Sequence, residues 1–476
     1  MATPSPSYGS SASSAASSTA DKMLPSERRA ALSLALVYMF RMVGLFVVLP
    51  VLALYADGLR GATPLLLGLA VGTYGLTQAA LQIPFGIMSD RWGRKPVIVA
   101  GLLVFAVGSA VAATADSIYG VIAGRALQGA GAVASAIMAL AADLSRDSQR
   151  TKVMAIIGAS IGLAFMLSLM LGPVISAWVG VSGLFWLSLV LSLMGAALVW
   201  RAVPTPNSLS QSAGFSVNEL KRVLLEPSLL ALNLSIFCLH GSLMALFVVV
   251  PFYLRDQLGL MSEQHWWVYL PVMLVSLLVA LPLIMRSGRS GAQAKALRIG
   301  VLVVGCGAAV MAAGQWLSVW AGLWLAAFAL YFVGFNVLEA SLPSLVSRLV
   351  PAGHKGAALG AYSTSQFLGT FVGGAVGGWA LGALGVAWVI AGIAVMVAIW
   401  AVLLWRAPLE TPWDSLAVFV ASKDAGAAVA AEIQALEGVG EVHWVAVESL
   451  LYVRFLPSDI SAETIYRKAK EAQAHE

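Results

Sequence analysis

The sequence predicts an all-α membrane protein: twelve spanning helices in two pseudo-symmetric six-helix bundles, followed by a small C-terminal α+β domain of ferredoxin-like type. Three observations predict it. The 476 residues are 59% hydrophobic and 11% charged, with mean hydropathy +0.87. Apolar segments of spanning length follow one another along most of the chain. Lysine and arginine fall almost entirely in alternate connections. A soluble globular protein carries about 25% charged residues, so the composition excludes a large soluble enzyme.

The first twenty residues, MATPSPSYGSSASSAASSTA, lack the basic start and apolar core of a signal peptide. Residues 1–23 are expected to form a disordered tail. A spanning helix needs about 20 mostly apolar residues. Such segments lie near 30–56, 64–88, 96–115, 118–142, 152–177, 183–203, 228–254, 265–286, 297–316, 319–347, 356–381 and 384–406. The first six make a bundle over 24–203 and the last six a bundle over 228–407. A polar linker, 204–227, begins with PTPNSLSQS and separates them. The halves echo each other. IPFGIM (Ile83–Met88) ends the second span and LPLIM (Leu281–Met285) ends the eighth, each before a short basic hairpin. Parallel six-helix repeats place a substrate site between halves.

Residues 413–476 read as a soluble domain of order βαββα. SLAVFVAS, EVHWVAVE and SLLYVRFLP alternate as strands. DAGAAVAAEIQALEG is a helix ending at Gly438, and Ser461 caps a last helix. A ferredoxin-like module without its final strand leaves an edge open to a partner. This domain has five basic and ten acidic residues, net −5; the remainder has 23 basic and 13 acidic, net +10. The tail domain is therefore expected to dock on the basic cytoplasmic face or to self-associate.

With the N-terminus inside, nineteen lysines and arginines lie on the inner side, and only Arg60 and Arg255 on the outer. Both termini are then cytoplasmic. Cys238 and Cys306 lie inside spans and read as apolar filler. No CxxC, HExxH or P-loop pattern occurs, so no metal, cofactor or hydrolytic chemistry is expected. The expected partners are a small-molecule cargo and the lipid bilayer, with no nucleic acid.

Charge inside a bilayer costs roughly 2.5–3.5 kcal/mol on insertion scales and marks a functional candidate. Arg41 in the first span, Arg125 in the fourth, His240 in the seventh and Glu339 in the tenth are such groups. Burial disfavours the charged form of a carboxyl, which makes Glu339 the first candidate for carrying a proton, with His240 second. An Arg41–Glu339 ion pair that merely fixes packing is the plain alternative. For Arg125 that alternative is bonding to carbonyls of the first helix. Gln78, Gln82, Asn233, Asn336 and Gln366 are candidates for cavity hydrogen bonds, because polar side chains in spans turn inward. Phe46, Tyr74, Phe247, Phe332, Phe335 and Phe367 are candidates for its apolar walls.

The densest charge sits in GIMSDRWGRKP, Gly86–Pro96. This string resembles the G-x-L-x-D-R-x-G-R-K/R motif of the major facilitator superfamily, with Met88 at the usual leucine. RALQGAG (Arg125–Gly131) resembles the family's second motif. RMVGLFVVLPVLALYA resembles the first helix of the drug–proton antiporter branch. The resemblance runs from about residue 24 to the end of the chain. It implies a conformational latch of Gly86, Asp90, Arg91, Gly93, Arg94 and Asp143. Gly86 would let another helix approach, and Asp90 would face the N-terminus of the eleventh helix near Lys355. Arg94 would pair with Asp143, and Gly93 would permit the tight turn. Arg91 and Lys95 also fit as positive-inside anchors. The resemblance further implies that Arg125 assists proton transfer. One departure is in the fifth span, where G-P-x-x-G-G is reduced to Gly172 and Pro173, followed by Ser176 and Ala177.

The function so implied is secondary transport by alternating access in a bacterial inner membrane, exporting small amphipathic compounds in exchange for protons, as in multidrug efflux. Two rivals stand beside it: a uniporter or proton symporter of an anionic metabolite, and a membrane sensor derived from a transporter.

Overall fold

Proline and glycine divide the apolar segments into helices. In the computed structural model the described residues are 23–205, 225–287, 292–317, 320–350, 355–409, 414–420, 426–445, 449–456 and 459–474. The expected N-terminal tail and most of the linker lie outside them. The chain forms α1 (Pro25–Phe46), α2 (Leu49–Asp57), α3 (Pro64–Trp92), α4 (Arg94–Ala113), α5 (Ile118–Ala130), α6 (Ala134–Asp143) and α7 (Asp147–Ala202). After the linker come α8 (Pro227–Asp256), a 3₁₀ turn (Ser262–Gln264), α9 (Trp266–Ser287), α10 (Ala292–Ala313), α11 (Ala321–Leu349), α12 (Lys355–Leu384) and α13 (Val386–Arg406).

Several of these boundaries have a plain cause. Pro50 has no N–H to offer the Phe46 carbonyl, and the first span breaks there into α1 and α2. Thr63 accepts the Leu66 amide and starts α3, and Gly93, at φ 94°, turns the chain into α4. The fourth span is interrupted at 131–133. Gly180, at φ 69°, breaks the helical geometry of the 56-residue α7 between the expected fifth and sixth spans. Counting α7 once, eleven helical segments among the described residues are long and apolar enough to cross a membrane.

The described chain divides into two units. The first holds residues up to Met285 together with Ala296–Ala407. One bundle packs α1, α4, α6 and α7 around Leu34, Val37, Leu45, Phe105, Ile137 and Val199. The other carries a column of rings, Tyr253–Trp324 at 3.9 Å, Trp324–Phe328 at 5.5 Å and Phe328–Phe332 at 5.1 Å. A repeated contact supports the sequence echo between halves. Lys95, at the start of α4, donates to the Trp200 and Val203 carbonyls at the end of α7, at 3.3 and 2.8 Å. Arg298, early in α10, donates to the Ala407 carbonyl just after α13, at 3.4 Å.

The bundles meet most extensively along α3 and α12. There, glycine lets backbone approach backbone. A Cβ on Gly72 would lie 2.9 Å from the Phe371 carbonyl oxygen, and one on Gly374 would lie 2.7 Å from that of Gly68. This seam occupies the Pro64 half of α3 and the Leu384 half of α12. At the other end, which carries Asp90 and Arg94, a Cβ on Gly86 would meet only Ser135 of its own bundle, at 3.6 Å. One on Gly360 would meet nothing within 4 Å. The close backbone approach between the bundles lies at the Pro64 and Leu384 end, and among the described residues neither Gly86 nor Gly360 shows such an approach at the basic end.

The second unit comprises Arg286–Lys295 and Pro408–Glu476. Its strands β1 (Asp414–Phe419), β2 (Val439–Val445) and β3 (Leu450–Phe455) form an antiparallel sheet of order β1-β3-β2. The helices α14 (Gly426–Gln434) and α15 (Ala462–Ala474) complete the expected βαββα order. Leu451, Val453 and Phe455 are buried, alternating with Leu450, Tyr452 and Arg454. With Val429, Ile433, Ile465 and Ala469 they make the core. The Thr464 amide donates to Ser461, as the cap requires. The first helix of this unit ends at Gln434, and the chain turns through Gly438 at φ 86°.

Candidate functional site

The charged groups at the basic end tie the helices of the first bundle together. Arg94 pairs with Asp90, one helical turn before it. Its Nε donates to Asp143 at 3.0 Å and its Nη1 to Ser89 Oγ at 2.8 Å. The Arg94 and Asp143 side chains are 4% and 1% exposed, so this ion pair is out of water. Three residues on, Arg146 donates its backbone N–H, Nε and Nη2 to Glu27 of α1, at 2.9, 2.9 and 3.0 Å. Lys95 caps the end of α7. It is therefore more than the positive-inside anchor its position suggests, since a cation at a helix C-terminus satisfies free carbonyls. Arg91 is exposed. Among the described residues, a Cβ on Gly86 would meet only Ser135 of its own bundle. The side chains at 351–357, Lys355 included, lie outside the described residues.

Deep in the first bundle sit two buried arginines. Arg125 donates to the Leu45, Ala70 and Val71 carbonyls at 3.5, 3.3 and 3.5 Å, and to Gln128 at 2.9 Å. Its guanidinium lies 4.5 Å from the centre of the Tyr74 ring. The bond to Leu45 is the expected contact with a first-helix carbonyl. Arg41 does not pair with Glu339. Its Nη2 donates to Gln78 at 2.7 Å and to the Gly131 carbonyl at 3.3 Å, which the break between α5 and α6 frees. Arg41 Nε and Nη1 have no hydrogen-bond partner among the described residues.

The titratable groups of the second bundle converge. Gln366 of α12 uses one amide nitrogen to reach His240 Nε2 of α8, at 2.8 Å, and Glu339 Oε1 of α11, at 3.4 Å. His240 Nε2 and Glu339 Oε2 are 3.8 Å apart. The Glu339 side chain keeps 39% of its surface accessible. An amide nitrogen only donates, so in this arrangement His240 Nε2 is the acceptor. Tyr38 of α1 and Tyr362 of α12 lie within electrostatic reach of Glu339, and Tyr38 also of Arg41.

Among the other expected cavity residues, Gln82 is buried, with Oε1 unpartnered among the described residues, and so is Asn233 Oδ1. Asn336 donates to Ser276 at 3.2 Å. Phe335 lies 5.8 Å from the His240 ring. Phe332 is 1% exposed among Phe328, Tyr331 and Phe335, inside the second bundle and not on a cavity wall. Sequence reasoning missed Tyr38, Tyr362 and Phe165. The tyrosines had a signal: each is one helical turn from a named polar residue, Arg41 or Gln366. Phe165 had none, in an apolar stretch of small residues. Among the described residues no cluster of three or more His, Cys, Asp or Glu could hold a metal ion.

The profile of the Major Facilitator Superfamily matches residues 34–374. The chain is 43% identical over 439 residues to the inner membrane transport protein YajR of Escherichia coli (strain K12), covering 91% of this chain and 95% of that one. The D-xylose–proton symporter structure superposes with a TM-score of 0.67 at 17% identity, over 80% of this chain and 98% of that one. A bacterial homologue of the human lysosomal transporter Spinster, in an inward-facing and occupied conformation, gives 0.66 at 12% identity, over 82% and 98%.

Proposed function

The chain belongs to the major facilitator superfamily of transporters, which are not enzymes, and on that premise we propose that it exports small amphipathic compounds in exchange for protons. The observation that carries this reading is the His240–Gln366–Glu339 cluster. It holds a carboxyl and an imidazole 3.8 Å apart, bridged by one amide nitrogen, on three helices of the second bundle. Alternating access needs such a group to face each side in turn.

The rest of the reading follows from this centre. The chain crosses an inner membrane twelve times, with α7 supplying two spans divided at Gly180. The basic end faces the cytoplasm, with both termini there, and the structure is an inward-open state. In the outward-open state α12 closes on Gly86 and Asp90, while Arg94–Asp143 holds the motif rigid. The C-terminal domain is ferredoxin-like, as its β1-β3-β2 order supports, and docks through its acidic surface or pairs with another copy. Arg41 favours one second reading. Two unpartnered guanidinium nitrogens suit an anionic cargo, carried by uniport or proton symport. Cargo flux in everted vesicles, with and without an imposed pH gradient, separates the two. Exchange predicts accumulation driven by an acidic interior, and flux indifferent to the gradient refutes it.

A further inference from the structure

Four phenylalanines from four helices meet where the bundles join. Phe165 of α7 lies 5.2 Å from Phe46 of α1, ring centre to ring centre, in an edge-to-face contact. Across the interface it lies 6.2 Å from Phe247 of α8 and 6.3 Å from Phe335 of α11, stacked on the latter. Phe335 in turn lies 5.8 Å from the His240 ring. The cluster therefore rests directly on the proton-sharing pair, and Phe165 bridges the two bundles.

Its depth follows from helix geometry. Phe247 is seven residues beyond His240 toward Asp256, about 10 Å at ~1.5 Å per residue. Phe335 is one turn before Glu339, on the Ala321 side. Both displacements point away from the basic end, toward the glycine seam of α3 and α12. Phe247 and Phe335 are 2% and 5% exposed, Phe46 and Phe165 are half-buried, and no ring carries a polar atom. A constriction of such side chains excludes water, and without water a proton has no path.

We propose that Phe165 is the keystone of a dry seal that cuts the His240–Glu339 site off from the external side while the cytoplasmic side is open. The proposal rests on the proton-exchange reading above. A proton carrier touching both sides at once would let the gradient run down without cargo. Coupling therefore requires the seal to open only when the basic end closes. Aromatic contacts between bundles suit this, because Phe165 and Phe335 each keep a ring partner in their own bundle when the interface parts. Phe165 keeps Phe46, and Phe335 keeps Phe332, 5.9 Å away.

Two measurements on purified, reconstituted protein test it. In the first, a membrane potential is imposed without cargo and internal pH is followed. In the second, Gln366→Cys in a Cys238→Ala, Cys306→Ala chain is labelled from the external side with a membrane-impermeant maleimide. Phe165→Ala should raise both proton leak and labelling rate several-fold, Phe165→Leu should raise neither, and Glu339→Gln should suppress the leak. Phe247→Ala opens the same seal from the other bundle and serves if Phe165→Ala fails to fold. Faster labelling without leak keeps the seal and removes the proton site from His240–Glu339. Unchanged labelling and leak in a folded Phe165→Ala or Phe247→Ala protein overturns the seal.

Discussion

Replacing Gly374 with alanine should move the protein between conformations without unfolding it. A Cβ built there lies 2.7 Å from the Gly68 carbonyl oxygen and 3.0 Å from the Gly72 Cα. Both contacts are to backbone, which cannot rotate aside. Overpacking of this kind costs about 1–3 kcal/mol. The clash spans the interface between α3 and α12, so the cost falls on the conformation that closes this end. A differential of about 1–3 kcal/mol is a factor of about 5–150 in the conformational equilibrium. Spin labels at Asp116→Cys and Leu384→Cys, exposed positions near that end in opposite bundles, report the separation by pulsed dipolar spectroscopy. The long-distance population should grow in Gly374→Ala. It should stay unchanged in Gly392→Ala, where a Cβ meets nothing within 4 Å. Equal distance distributions in the Gly374 variant and wild type would refute the reasoning.

Arg94→Ala breaks a buried ion pair, a loss of about 3–5 kcal/mol; thermal unfolding of the detergent-solubilised protein should fall well below wild type, with Arg94→Lys between them. Gln366→Leu removes the amide joining His240 to Glu339, a loss of about 1–3 kcal/mol from the groups left unpaired; coupled flux should drop, its pH profile shift, and the unfolding midpoint fall. Trp400→Phe removes the 2.9 Å bond to Ser235 Oγ, whose hydroxyl still donates to Ala231; a stability loss of only about 1 kcal/mol is expected, read as a small fall in the unfolding midpoint.

Much of the fold is legible in the sequence because a bilayer imposes a coarse rule. Long apolar segments must be helices, and lysine and arginine mark their ends. Gly93 and Ser461 act locally, so their roles in a turn and a cap could be read directly. The Arg94–Asp143 pair was legible through the family motif. The breaks inside the first and fourth spans were harder to see. Pro50 and the Gly129–Gly131 stretch interrupt helices without interrupting hydropathy. The partner of Arg41 followed from the second break, because the carbonyl it uses exists only where the helix is unwound. The small residues of the eleventh span, Gly369–Gly378, pack against backbone of its neighbours. Which end of the second span they meet depends on the conformation, and sequence encodes both conformations at once. The His240–Gln366–Glu339 cluster draws on three helices, and each residue alone was a candidate. Their convergence is a tertiary fact that no local pattern carries.

The decisive measurement is proton release by the purified protein when cargo is added, followed with a pH indicator in weakly buffered detergent solution. Wild type should release protons on binding, and Glu339→Gln should bind the same cargo and release none. Equal release from both proteins would contradict Glu339 as the carrier, and cargo binding without release from wild type would contradict proton exchange itself.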